Sequence, residues 1–113
     1  MEPRTLGSTG LQVTPVGFGA LTIGRNQLDL PLREGAAVIR HALERGIRLF
    51  DTAEYYGTYP YLREALRGSK QEPVIVTKSY QTDAGGMAQA LENARHSLDR
   101  DVIDIFLLHE VRS

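Results

Sequence analysis

The chain has 113 residues, 42% of them apolar and 24% charged, with 13 basic and 14 acidic residues and a formal net charge of −1. This composition is typical of one soluble globular domain, so we interpret residues 1–113 as a single domain and exclude a disordered or fibrous chain. The balanced charge excludes proteins that bind polyanions through a basic field, and we expect no nucleic-acid partner.

The chain contains no cysteine, which excludes disulfide scaffolds, thiolate nucleophiles and cysteine-based metal sites. The N-terminal residues contain no basic segment followed by an apolar run, and no apolar stretch approaches the roughly 18–20 residues that a bilayer requires. We therefore expect a cytoplasmic protein that has no membrane partner.

The first half of the chain predicts a hairpin, a short strand and one helix. Residues 4–16 contain two short extended runs around Gly-Ser-Thr-Gly, which is typical of a hairpin. Residues 16–19 predict a short strand, and a polar stretch then ends at Asp29. Pro31 suits a first helical turn and Gly46 a position just past a helix end, and between them apolar residues recur at helical spacing, at Ala36, Ile39, Ala42 and Leu43.

The second half alternates strands with helices. Residues 47–50 and 74–77 are short apolar runs that predict strands, and residues 61–67 between them predict a helix that is stopped by Gly68. Residues 102–108 are mostly apolar and predict a further strand. A third helix precedes that strand, with Thr82 or Asp83 as its cap and an apolar face of Met87, Leu91, Ala94 and Leu98.

Strands that are apolar on both faces and alternate with helices are typical of parallel strands covered by crossover helices, so we predict an α/β fold. The last three predicted strands are followed by titratable residues, Asp51, Lys78 and His109, which are 27 and 31 residues apart. In a (β/α)8 barrel the carboxyl ends of neighbouring strands converge on one mouth. We therefore expect these side chains to meet, which is the pattern of an active site.

Residues 50–57, Phe-Asp-Thr-Ala-Glu-Tyr-Tyr-Gly, match the F-D-T-A-x-x-Y-G signature of the aldo-keto reductases. The resemblance continues in residues 77–78 and 104–109, and residues 8–11 and 17–19 are similar to the opening of that family. It therefore covers essentially the whole chain. The resemblance implies a TIM barrel whose bottom is closed by the N-terminal hairpin, of which this chain holds the first half: the hairpin, about four strands and three helices.

The resemblance also implies nicotinamide-dependent carbonyl reduction by a catalytic tetrad, here Asp51, Tyr56, Lys78 and His109. Hydride transfer to a carbonyl carbon leaves an alkoxide, which needs a proton and stabilisation of its charge. In this interpretation the Tyr56 phenol donates the proton, and the Lys78 ammonium held against it stabilises the phenolate. Asp51 compensates the charge of Lys78 and fixes its position, and His109 hydrogen-bonds the substrate carbonyl and sets its angle.

Each of these residues also has a structural interpretation. An aspartate before Thr-Ala is commonly a turn former, and a lone histidine is commonly a core residue. Lys78, one of two lysines, is harder to explain structurally, because an unpaired lysine seldom ends a buried strand. The joint arrangement favours the active site. The other tyrosines are interpreted as loop and packing residues: Tyr55, Tyr59, Tyr61 and Tyr80.

The sequence contains neither a metal motif nor a phosphate-binding loop. His41 and His96 lie in predicted helices without a second ligand at metal spacing, so we expect both to face solvent and assign no metal site. Residues 17–19 lack the third glycine of G-x-G-x-x-G. Residues 19–24 have P-loop spacing but continue with Arg-Asn instead of Lys and Ser or Thr.

The resemblance implies NADPH as the cofactor, with NADH as an alternative, and places Gly19, Ala20, Leu21 and Asp51 against it. A complete barrel takes about 250 residues, and the family's main contacts to the cofactor phosphates come from later strands. We therefore expect the chain alone to bind NADPH feebly. Residues 58–63 replace the family's usual Asn/Ser-Glu pair, which leaves the identity of the small carbonyl substrate open.

Two hypotheses of different classes follow. In the first, the chain is the N-terminal half of a reductase, the activity belongs to the full-length or assembled form, and the remaining half of the barrel is its partner. In the second, it is a catalytically silent half-barrel that associates with itself through its open edge, residues 103–108, as a structural or binding subunit. An unpaired edge strand exposes apolar surface, so we expect dimers or larger assemblies of the chain.

Overall fold

The computed structural model describes residues 1–111, which begin with a hairpin. Strands β1 (Arg4–Thr5) and β2 (Gln12–Val13) pair antiparallel, as the sequence predicts. Gly7 and Gly10 in the connecting loop adopt positive φ angles, which glycine adopts without steric cost. The hairpin is confirmed, although each of its strands has only two residues.

The remaining strands form a four-stranded parallel sheet, whose spatial order is the chain order. These strands are β3 (Phe18–Gly19), β4 (Leu49–Asp51), β5 (Val74–Ser79) and β6 (Ile105–Leu108). Helices connect successive strands: α1 (Leu32–Glu44), α2 (Tyr59–Leu66) and α3 (Ala84–Leu98). The parallel sheet with crossover helices confirms the predicted α/β class.

The side chain of Thr14 shortens two of the predicted strands at their start. Its hydroxyl donates to the Val16 carbonyl at 2.7 Å and accepts from the Arg48 amide at 3.1 Å. These main-chain groups are therefore bonded to a side chain instead of to a neighbouring strand. β3 consequently starts at Phe18 instead of residue 16, and β4 starts at Leu49 instead of residue 47.

The last two strands also differ from the predicted ones: β5 is longer and β6 is shorter. β5 extends to Ser79, two residues beyond its predicted end, so that Lys78 lies inside the strand. β6 begins at Ile105 instead of residue 102. The reason is that the Ile75 amide donates to an Asp104 carboxylate oxygen at 2.9 Å, which takes the place of a hydrogen bond between the strands.

Two of the helices differ from the sequence prediction, one in where it begins and the other in which residues it buries. α2 begins at Tyr59 instead of residue 61, because Pro60 is accepted in a first helical turn, where its missing N–H is not needed. Asp83, one of the two predicted caps, is the N-cap of α3, and its side chain accepts from the Gly86 amide at 2.7 Å. Met87 and Leu91 are only half-buried. The buried face of α3 is instead a stripe of Ala90, Ala94 and Leu98.

The core lies between the sheet and the helices. Phe50 and Ile75 from the two central strands are fully buried, and they pack against helical residues Ile39, Leu43, Leu62 and Leu98. α1 and α2 approach closely at Gly35, where a Cβ atom would lie 2.2 Å from Cδ1 of Tyr61. This packing fixes the strands and therefore the position of their carboxyl ends. Within residues 1–111, none of the helices is long and apolar enough to cross a membrane.

Candidate active site

Asp51 and Lys78 meet at the carboxyl edge of the sheet. Asp51 is the last residue of β4, and Lys78 lies near the end of β5. Nζ of Lys78 lies 3.0 and 3.1 Å from the two carboxylate oxygens of Asp51 and 2.7 Å from the carbonyl oxygen of Thr52. The lysine side chain is mostly buried, so these three oxygens, and not water, compensate most of its positive charge. The sequence spacing of 27 residues is bridged by one βα unit.

Tyr56 is held beside this ion pair by a short 3₁₀ turn, Glu54–Tyr56, that follows β4. Arg25 Nη2 and Asn26 Nδ2 donate to the Tyr55 carbonyl at 3.2 and 3.4 Å, which ties the turn to the segment after β3. The turn ends at Gly57, which has a φ of 68°. The centroid of the Tyr56 ring lies 5.2 Å from Lys78 Nζ, within the range of a cation–π contact.

His109 directly follows β6 and completes the cluster. Its amide donates to the Ser79 carbonyl at 2.9 Å. Its imidazole meets the Tyr56 ring edge to face, with centroids 5.9 Å apart and an angle of 87° between the planes. The structure therefore brings together the four residues that the sequence singled out, from three different strand ends.

Two tyrosines that the sequence analysis interpreted as loop and packing residues join this cluster. The Tyr80 ring is stacked on the His109 imidazole, with centroids 4.0 Å apart and planes inclined by 12°. Tyr55 meets Tyr80 edge to face at 5.7 Å. The position of Tyr80, directly after β5, is the signal that could have identified it, because His109 lies directly after the neighbouring β6.

The carboxyl edge of the sheet also contains a side-chain hydrogen bond, a polar link that the sequence analysis did not predict. Ser79 Oγ donates to Glu54 Oε1 at 3.1 Å and so joins the end of β5 to the turn that carries Tyr56. Beneath it, the hydroxyls of Tyr59 and Thr77 are hydrogen-bonded at 2.7 Å. Burial raises the pKa of Tyr59; the hydrogen bond with Thr77 opposes this shift, and the nearby Glu54 carboxylate adds to it.

The expected cofactor residues lie beside Asp51 on the same edge. Ala20 is fully buried, and its amide donates to the Asp51 carbonyl at 2.9 Å. Gly19 is exposed, with no atom within 4 Å of where a Cβ would lie, and Leu21 is half-buried. Gly19 therefore leaves open space beside the half-exposed Asp51 carboxylate, where the resemblance predicts the nicotinamide end of a dinucleotide.

The two other histidines lie on helices, outside this cluster. His41 on α1 and His96 on α3 are exposed, as the sequence predicts. In the part of the chain that the structure describes, no group of three or more His, Cys, Asp or Glu side chains is placed to hold a metal ion.

Comparison with known proteins adds an independent observation. Residues 15–113 match the aldo/keto reductase family. Methylglyoxal reductase YeaE of Escherichia coli K12 is 37% identical over 115 residues, which cover 96% of this chain and 40% of that protein. The NADP-dependent D-sorbitol-6-phosphate dehydrogenase of Malus domestica is 28% identical over 109 residues, which cover 90% of this chain and 33% of that protein.

The solved structures agree with the fold. A Pseudomonas aeruginosa protein assigned to the aldo-keto reductases matches with a TM-score of 0.84 and 34% identity, covering 96% of this chain and 46% of that one. The match confirms the expected fold class: the hairpin, four strands and three helices correspond to part of a TIM barrel. The chain spans less than half of the length of each of these three proteins.

Proposed function

The chain belongs to the aldo/keto reductase family, and on this premise we propose that it forms the catalytic part of an NADPH-dependent reductase that converts an aldehyde or ketone into an alcohol. The observation that carries the proposal is the cluster of Asp51, Tyr56, Lys78 and His109 at one edge of the sheet. We assign the activity to the full-length or assembled form, which we expect in the cytoplasm.

Tyr56 is the proton donor in this proposal. A nicotinamide cofactor, when bound, would supply the hydride that the carbonyl carbon accepts, and the carbonyl oxygen would then need a proton. The Tyr56 O–H bond breaks as its proton moves to that oxygen, which leaves a phenolate. The Lys78 ammonium, 5.2 Å from the centre of the ring, stabilises this negative charge in a setting from which water is partly excluded.

Asp51 and His109 complete the machinery. The Asp51 carboxylate accepts hydrogen bonds from the lysine through both oxygens, so its role in this proposal is to hold the ammonium in place and not to transfer a proton to the substrate. The His109 imidazole hydrogen-bonds the substrate carbonyl and sets its angle toward the cofactor. The polar link between Ser79 and Glu54 keeps the turn of Tyr56 at a fixed distance from β5.

The cofactor lies against Gly19, Ala20, Leu21 and Asp51 in this proposal. Gly19 offers open space, and the other residues form the wall beside it. The name of the Malus domestica relative supports NADPH, and that of the Escherichia coli relative supports a small carbonyl compound as the substrate class.

The test measures NADPH oxidation by the full-length or assembled form with a panel of small aldehydes that begins with methylglyoxal. Tyr56→Phe keeps the ring and removes the proton, so we expect the rate to fall by about 10²–10⁴-fold. Tyr55→Phe is the matched control, because Tyr55 is the adjacent tyrosine and is exposed, whereas the contact with Lys78 is made by Tyr56. Equal losses in the two variants, or a parental rate for Tyr56→Phe, would overturn the assignment.

A second candidate function is that of a catalytically silent half-barrel that associates with a second copy of itself. The observation that favours it is the exposure of large apolar side chains on and beside the edge strand β6: Val102, Leu107, Leu108 and Val111. Two β6 edges could bury these residues against each other. A dimer that binds no NADPH and consumes none with any aldehyde of the panel would favour this function over the first.

A further inference from the structure

The His109 ring lacks the support that an active-site imidazole usually has. Such a ring is commonly oriented by a hydrogen bond at the nitrogen that does not face the substrate. Nδ1 of His109 is buried, and nothing in residues 1–111 hydrogen-bonds to it. Within the described part of the chain, contacts other than a hydrogen bond at Nδ1 therefore hold the plane of this ring.

Stacking on Tyr80 provides that restraint. The two rings are nearly parallel, inclined by 12°, with centroids 4.0 Å apart. Tyr56 meets the imidazole from the side at 87°, and Tyr55 meets Tyr80 in the same way at 85°. A swing of the imidazole plane would break the stack and the edge contact together.

The pairing register of the sheet produces this stack. In the parallel ladder of β5 and β6, Ser79 is the partner of Leu108, so Tyr80 and His109 are the residues that directly follow the two strands. The His109 amide also donates to the Ser79 carbonyl at 2.9 Å, which holds the two chains together at this point. Neighbouring strands lie about 4.8 Å apart, which is close to the spacing at which two flat rings stack.

We propose that Tyr80 is a positioning residue, which fixes the plane of the His109 imidazole by stacking and so sets the direction in which His109 bonds the substrate carbonyl. The second clause rests on the carbonyl reduction proposed above, whereas the first concerns the ring alone. In this role Tyr80 takes no part in the transfer of the proton or of the hydride. The proposal assigns the effect to the aromatic face, and phenylalanine keeps that face.

The test of the ring is made by NMR on the full-length or assembled form. The stacked tyrosine displaces the ring-proton signals of His109 upfield, and a His109→Gln variant identifies those signals. We expect Tyr80→Leu to move them toward the positions of an exposed histidine and to increase the motion of the ring, and Tyr80→Phe to retain the parental signals. The signals of His41 and His96, which are exposed on helices, are the internal reference and should not move.

The same variants are then assayed with methylglyoxal and NADPH. A misplacement of about 1 Å can cost about 10²-fold in rate, so we expect Tyr80→Leu to lower kcat about tenfold with little change in KM, and Tyr80→Phe to restore it. Unchanged His109 signals in Tyr80→Leu would overturn the proposal, as would equal displacement in Tyr80→Phe. A Tyr80→Leu variant with moved signals but parental kcat would also overturn it. If the parent protein turns over no substrate, the proposed function fails, and the NMR result still decides whether Tyr80 fixes the ring.

Discussion

Nζ of Lys78 binds both carboxylate oxygens of Asp51, at 3.0 and 3.1 Å, but the two partners are unequally buried. The lysine side chain is 14% exposed and the aspartate side chain 47% exposed. Water can therefore replace the lysine around Asp51, whereas little water can replace the aspartate around Lys78. The two halves of the pair should respond differently to mutation.

We expect Asp51→Asn to destabilise the fold more than Lys78→Met does. Loss of the carboxylate leaves a mostly buried ammonium without a counter-charge, which costs about 2–3 kcal/mol of unfolding free energy. Loss of the lysine leaves a carboxylate that solvent reaches, and costs about 1 kcal/mol. Urea unfolding measures both, with Lys70→Met, the other lysine, as the control that should change nothing. A larger loss in Lys78→Met would contradict this reading of the pair.

Tyr59 makes stability depend on alkaline pH. Burial raises its pKa above the ordinary value of about 10, so at high pH the unfolded chain releases this proton while the folded chain keeps it. The contribution of Tyr59 is therefore fully present below about pH 10 and is lost as the pH rises toward the folded value. We expect Tyr59→Phe to show a smaller fall in unfolding free energy than the parent between about pH 9 and about pH 11.

The matched control for this experiment is Tyr55→Phe, which removes an exposed hydroxyl. It should show the alkaline fall of the parent chain. The absorbance of tyrosinate gives a second measurement, because Tyr59 should ionise in the folded protein at a pH above the ordinary tyrosine value of about 10. Identical alkaline profiles for the two phenylalanine variants would contradict the prediction.

Two glycines at the mouth should differ in their tolerance of alanine. Gly57 has a φ of 68°, and a Cβ there would lie 2.9 Å from Nε of Arg25. The arginine can move, so the backbone conformation dominates, and we expect Gly57→Ala to cost about 1 kcal/mol in urea unfolding. Gly19 has open space and no positive φ, so Gly19→Ala should leave stability within about 0.5 kcal/mol.

Gly19→Ala is also informative about the cofactor. The added methyl group fills the space in which we place the nicotinamide end, so NADPH binding should weaken although the fold is unchanged. Fluorescence titration measures the affinity for NADPH. Gly57→Ala is the comparison variant, because it should lower stability and not that affinity. Parental NADPH affinity in Gly19→Ala would remove Gly19 from the proposed cofactor site.

The edge strand β6 should drive self-association of the 113-residue chain. Leu107 and Leu108 are about half exposed on this strand, where the backbone also has a free edge. We expect light scattering at micromolar concentration to show dimers or larger assemblies, and Leu108→Lys to shift them toward monomer. Val38→Lys, at an exposed apolar position on α1, is the control. A sharp monomer mass with cooperative unfolding of the parent chain would contradict this prediction.

Much of the fold follows from residues that are neighbours in the chain. The apolar runs before Asp51 and Lys78 predict strands, and Gly46 and Gly68 mark helix ends, because these properties depend on local conformational preferences. The order of strands and helices then predicts a parallel sheet, and a parallel sheet places all strand ends at one edge. This reasoning is sufficient to propose Asp51, Lys78 and His109 as one cluster.

The tertiary structure decided what depends on contacts between segments distant in the chain. The sequence left Thr82 and Asp83 open as caps, and the geometry of the first turn of α3 selected Asp83. Tyr80 is a loop tyrosine by sequence, and the register of β5 with β6 is what stacks it on His109. The unequal burial of Lys78 and Asp51 likewise arises only when the strands are packed. Register and burial depend on how separate segments fit together, and no local pattern of residue types encodes them.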